Sequence, residues 1–157
     1  MIQTITSFIG AAGFALVFNV RGKKLIWIGL GGALSWIVYK LGLELSGSPF
    51  AGLLVATIAV VAAGEILARR IRVPVIMLMV PMLIPLVPGG DLYYTMRYLI
   101  GDDNELFLES LRSLLMQAGA IAVGVIVATS VMTNFFAFYY KRKRKLEQLH
   151  MHITMDT

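Results

Sequence analysis

The sequence predicts an all-α, polytopic membrane protein with five transmembrane helices, the fourth broken at a Pro-Gly-Gly. Its N-terminus is expected outside and its C-terminus in the cytoplasm. Three observations lead there. Of the 157 residues, 58% are hydrophobic and only 15% charged, against about 25% charged in ordinary soluble domains, and the mean hydropathy is +0.79. The apolar residues form five runs separated by charges or turn formers, and a span needs about 20 such residues. Basic residues gather after the first, third and fifth runs. The expected organisation is one five-helix domain over residues 1–140 and a basic cytoplasmic tail over 141–157.

The first run, Ile2 to Val20, has no Lys or Arg ahead of it and no small-residue cleavage site behind it. It therefore lacks the layout of a signal peptide and is expected to remain as a span. Arg21, Lys23 and Lys24 separate it from the second, Leu25 to Leu43. That run closes on ELSGSP, where Pro49 is placed to open the third helix, Phe50 to Ala68. Arg69, Arg70 and Arg72 precede the fourth run, Val73 to Val87, and Lys141 to Lys145 follow the fifth, Leu114 to Phe138. One side thus holds eleven basic residues, and the other only Lys40, Arg97 and Arg112. Because Lys and Arg at span ends stay in the cytoplasm, this pattern sets the topology. KRKRK directly after a span reads as a topological anchor touching anionic lipid, and no nucleic-acid partner is expected.

The fourth run is the unusual one. Its 15 residues reach about 22 Å as a helix, short of a hydrocarbon core of about 30 Å. Pro81, Pro85 and Pro88 each delete a backbone donor, at about 3 kcal/mol in a helix interior. If the chain resumes as a helix from Asp91 to Ile100, two pieces together complete the crossing. Broken backbone survives at membrane depth only where protein or a water-filled cavity covers it, so the break is expected to face inward. Bare amides at Gly89 and Gly90, on the N-terminus of a half-helix, would suit a carboxylate on a small solute. Asp91 beside them would suit an ammonium group on the same solute. The competing reading is a plain proline kink with Asp91 capping the next helix.

Further along, Asp102 and Glu105 have capping-box spacing, which predicts a long helix from Glu105 to Phe138. Its first turns carry Glu105, Glu109 and Arg112 among leucines, as at an outer interface. Ala120, Gly124 and Ala128 read as a packing seam, as do Gly10 with Gly13, and Gly29 with Gly31 and Gly32. Thr129, Ser130, Thr133 and Asn134 form a polar face that either lines a pathway or bonds back to its own helix. Tyr93, Tyr94, Tyr98 and Arg97 suit interfacial anchors or the outer closure of the site. Glu65, deep in the third run, has two readings: a residue coupling proton or charge movement, or the partner of Arg69 four residues on.

An enzyme is not expected. Cys is absent, no H-E-x-x-H occurs, and one intramembrane Glu offers no acid and base pair. His150 and His152 sit in the polar tail and read as solvated surface rather than a metal site, so neither metal nor cofactor is expected.

GFALVFNV (Gly13 to Val20), GEILARR (Gly64 to Arg70) and above all the P-x-x-x-P-L-V-P-G-G-x-x-Y run (Pro81 to Tyr93) resemble the threonine/serine exporter family, over nearly the whole chain. The likeness is to the small five-span subunit of the split type. It implies a multi-pass protein of the bacterial inner membrane that exports small hydrophilic amino acids by secondary transport. Glu65, Pro81, Pro85, Pro88, Gly89, Gly90 and Tyr93 are the motif positions it carries over. A partner follows on physical grounds too, since five spans cannot pair internally as inverted repeats: a second subunit of opposite topology, or a second copy. The alternatives are an exporter subunit for dicarboxylates and a non-transporting assembly subunit.

Overall fold

The computed structural model describes residues 1–155, with the side chains of α6 described through residue 142 except Tyr140. Six α-helices follow one another: α1 (Ile2–Val17), α2 (Lys24–Ser46), α3 (Pro49–Ile71), α4 (Val75–Leu83), α5 (Gly89–Ile100) and α6 (Asn104–Met155), with a 3-10 turn at Ile84–Leu86 between α4 and α5. α2, α3 and α6 are each long and apolar enough to cross a membrane, and α4 with its 3-10 turn makes a fourth crossing with α5 if the bent pair is one span. α1, at 16 residues, is apolar but shorter.

α3 is the middle of the bundle. Leu53, Ala56, Thr57, Val60, Val61, Gly64 and Ala68 recur at helical spacing and are all buried. One side of α3 meets α2 and α4, where Val60 and Ala68 join Ala11 and Ala15 of α1, Ile28 of α2, and Leu78 and Met82 of α4. The other meets α6, where Leu53 and Ala56 pack with Leu86 and Ala120. Lipid is as apolar as these side chains, so close van der Waals fit rather than water exclusion holds such helices together. Small residues supply that fit. A methyl on Gly124 would stand 2.8 Å from the Thr57 side chain, and one on Gly42 2.9 Å from the Gly52 backbone. Gly29 lies against Phe8, Gly31 against Met82, and Gly32 against Ala11 and the Ser7 carbonyl. The Ala120–Gly124–Ala128 seam and the Gly29–Gly32 seam are therefore as expected. Gly10 and Gly13 are not a seam: a methyl on either would meet nothing within 4 Å.

The helix ends follow local chemistry. Pro49 is the first residue of α3. α1, α3 and α5 are followed by left-handed residues that are not glycine, Asn19, Arg72 and Asp102. At each end the next amide reaches back five residues, Val20 to Ala15, Val73 to Ala68 and Asp103 to Tyr98, satisfying carbonyls the helix leaves free. The expected capping box of Asp102 and Glu105 is therefore not formed, and a single cap one position later replaces it. Asp102 is spent on the left-handed turn, and Asp103 caps α6 by accepting from the Leu106 amide at 3.3 Å. α6 then runs without interruption into the basic segment. Lys141 and Arg142 are exposed, whereas the side chains of Lys143 to Lys145, His150 and His152 lie outside the described residues.

Candidate functional site

The three prolines of the fourth run behave differently, and the break is narrower than the sequence implies. Pro81 sits inside α4 without ending it and is buried. Pro85 enters the 3-10 turn, which closes with the Val87 amide bonded to the Ile84 carbonyl at 3.1 Å. Only Pro88 redirects the chain. It has no donor to continue the ladder, and it holds Val87 extended at φ −63 and ψ 127, as residues before proline prefer. With φ −75 and ψ 59, Pro88 is the centre of an inverse γ-turn in which the Gly89 amide bonds to the Val87 carbonyl at 2.8 Å. Gly89 and Gly90 are then not a loose linker but the first turn of α5, which leaves at 60° to the helix before it. The Gly89 amide is thus already engaged. Among the described residues, those of Gly90 and Asp91 have no backbone acceptor, as expected of a helix start with no side-chain cap.

Asp91 does not cap its own helix. Its Oδ2 accepts from the Ser113 hydroxyl at 2.6 Å and from the Gln117 amide, both on α6, and Gln117 also donates to Ser113 at 3.0 Å. Ser113 and Gln117 are one helical turn apart, so one face of α6 presents two donors to one carboxylate oxygen. Among the described residues nothing bonds to Oδ1. The carboxylate is near the positive end of the α5 dipole.

Three cavities meet around this bend. One of about 200 Å³ is lined by Pro85 to Asp91 together with Trp36 and Tyr39 of α2, Leu53 of α3 and Gln117 of α6. A second, about 320 Å³, lies on the far side of Asp91 and is walled by Tyr94, Tyr98, Glu109 and Ser113. The third, about 270 Å³, shares Trp36 and Pro85 with the first and is otherwise formed by Gln3, Thr6, Ser7 and Gly10 of α1 and Ile84. Asp91 thus borders the first and second cavities, and Trp36 and Pro85 border the first and third. Thr6 and Ser7 spend their hydroxyls on the Gln3 carbonyl, at 2.9 and 2.7 Å.

Of the residues singled out from sequence, Pro85, Pro88, Gly89, Gly90 and Asp91 come together here, and Tyr94 lines the second cavity. Tyr93 is exposed and stands edge-on to Tyr94 at 5.4 Å. Others lie elsewhere. Thr133 and Asn134 are exposed, about 24 Å along α6 from Gln117. Thr129 bonds back to the Val125 carbonyl at 2.7 Å. Glu65 is buried, about 18 Å along α3 from Leu53, and pairs with Arg69 at 3.1 Å. The Arg69 guanidinium also lies 3.8 Å from the centre of the Phe136 ring, a cation–π contact tying α3 to α6. Sequence reasoning missed Ser113, Gln117, Trp36, Tyr39 and the α1 polar face. The Ser113–Gln117 spacing was a usable signal, since i, i+4 puts two polar side chains on one face where the helix enters its apolar run.

A bundle of long apolar helices with one bent pair has the architecture of a multi-pass membrane protein. Within that class the family is shown by comparison: the sequence profile described as "Threonine/Serine exporter, ThrE" matches residues 3–131, more than four-fifths of the chain. The chain belongs to the threonine/serine exporter family. No curated protein and no solved structure matches it.

Proposed function

We propose that this chain is a subunit of a secondary transporter exporting threonine- or serine-type amino acids, with its solute site in the cavity at the α4–α5 bend. The observation that carries the reading is the position of Asp91. Its Oδ2 is held by Ser113 and Gln117, which leaves Oδ1 for a ligand, and the uncapped start of α5 is beside it. A zwitterionic amino acid matches both: ammonium to Asp91, carboxylate to the amides at the helix start. A dicarboxylate would bring like charge against Asp91, which weighs against that alternative.

The dimensions suit a membrane site. From Val75 to the bend is about 20 Å, some two-thirds of a hydrocarbon core, and α5 at 60° adds about 9 Å along the same direction. On this reading α4 and α5 form one broken span, α1 and the three long helices complete five, and the basic clusters keep the C-terminus in the cytoplasm. The cavities then open toward the outer half. A second subunit of opposite topology, or a second copy, covers the cavities at the bend and supplies the moving counterpart.

The test uses the empty space at the glycines. A methyl on Gly89 or Gly90 meets nothing within 4 Å, so Gly90→Leu is expected to be tolerated by the fold and to place its bulk beside the cavity that Gly90 lines. Cells loaded with threonine- or serine-containing dipeptides are expected to export the amino acid with the native chain, and at least about tenfold more slowly with Gly90→Leu present at equal membrane levels. Unchanged export by Gly90→Leu would refute the site. No export above vector by the native chain with its partner would refute the function.

A further inference from the structure

At the end of the bundle remote from Asp91, α2 and α3 leave an apolar groove of about 540 Å³ between them. Trp27, Leu30 and Leu34 form one wall, Ile66 and Leu67 the other, and Arg70 stands at the mouth. Met82 of α4, itself 1% exposed, is the floor. The floor exists because α2 has glycine at position 31, where a methyl would meet the Met82 sulfur at 2.5 Å. From Trp27 to Leu34 the wall runs about 10 Å along α2, apolar throughout.

We propose that this groove binds an anionic diacyl phospholipid, with an acyl chain along the walls and the phosphate at Arg70. The charges at the mouth carry the choice of occupant. Arg69 is occupied by Glu65, the only ion pair among the described residues, whereas Arg70 is exposed and is in none. Lys23 and Lys24 precede Trp27 by four and three residues, placing them one turn toward the mouth on its helix face. α2 also starts at Lys24 with no side-chain cap, so its positive dipole end lies there. Trp27 is 50% exposed and lies one turn inside the basic start of α2, the order in which cations and indoles flank a hydrocarbon run. Cation at one end and hydrocarbon wall behind it complement a headgroup with its chain, and a basic pocket between helices selects anionic over zwitterionic lipid. A volume of this size is within the usual range for a ligand pocket. The proposal is independent of the solute site.

The full-length chain, purified in neutral detergent and stripped of lipid, is melted with added phosphatidylglycerol or phosphatidylcholine. Phosphatidylglycerol is expected to raise Tm by about 5 °C more than phosphatidylcholine, as ligand binding to the folded state requires. Native mass spectrometry is expected to show one retained phosphatidylglycerol. Arg70→Gln, at an exposed position, is expected to remove at least about half of that difference, and Lys40→Gln, at the opposite end, none of it. Ala63→Phe, which fills the groove, is expected to abolish lipid retention. Equal shifts with both lipids, or a full phosphatidylglycerol shift in Arg70→Gln, would overturn the proposal. So would a photocrosslinker at position 66 that captures a protein instead of lipid in native membranes.

Discussion

The carboxylate of Asp91 on α5 accepts a 2.6 Å hydrogen bond from the hydroxyl of Ser113 on α6, across 22 residues of sequence. This bond, with that from Gln117, fixes the half-helix after the bend against the longest helix of the bundle. It also determines which oxygen of Asp91 remains for a ligand. Position and chemistry of the proposed site therefore depend on the same contact.

Removing the charge at Asp91 separates those two consequences. Asp91→Asn keeps a polar group facing Ser113 and Gln117 but has no charge for an ammonium. Export is expected to fall at least about tenfold with little loss of folded protein. A double-mutant cycle of Asp91→Ala with Ser113→Ala, read by reversible unfolding, is expected to give a coupling of about 0.5–2 kcal/mol. Additive losses would mean that the bond is not made.

The prolines are expected to divide along the geometry. Pro81→Ala removes packed atoms from inside α4, at about 1–2 kcal/mol, but restores a helix-interior donor worth up to about 3 kcal/mol, so stability is expected to hold or rise while export per folded molecule stays the same. Pro88→Ala restores a donor and frees Val87 for helical geometry, so export is expected to drop. Flux normalised to folded protein checks both.

Glycines in the same membrane are expected to differ by their neighbours. Gly32→Ala places a methyl against Ala11 and the Ser7 carbonyl and is expected to destabilise by about 1–3 kcal/mol. Gly10→Ala enters open space and is expected to be neutral or to gain up to about 1 kcal/mol from helix propensity. Thermal unfolding of the two variants, side by side, is the measurement.

Glu65→Gln is expected to lower stability by about 1–3 kcal/mol, because it weakens the bond that holds Arg69 over Phe136. If pairing is the whole role of Glu65, export retains its dependence on the ion gradient. Flux measured with and without an imposed gradient decides this, and loss of the dependence in the variant would assign Glu65 to coupling.

The sequence by itself determined the elements. Hydrophobic runs, basic clusters, Pro49, the Gly29–Gly32 and Ala120–Ala128 seams and the helix over Asp91–Ile100 were legible because span length, charge and close packing act through residue type at fixed spacing. Only the tertiary structure decided which proline bends the chain. All three lack the same donor, but Pro81 keeps helical geometry within α4, and Pro88 alone follows an extended residue and centres a γ-turn. It also gave Asp91 to α6 instead of its own helix cap, and put Trp36 and the α1 polar face beside Pro85. Partners so distant in sequence meet through helix crossings. Crossings are set by side-chain fit summed over whole interfaces, which no local pattern encodes.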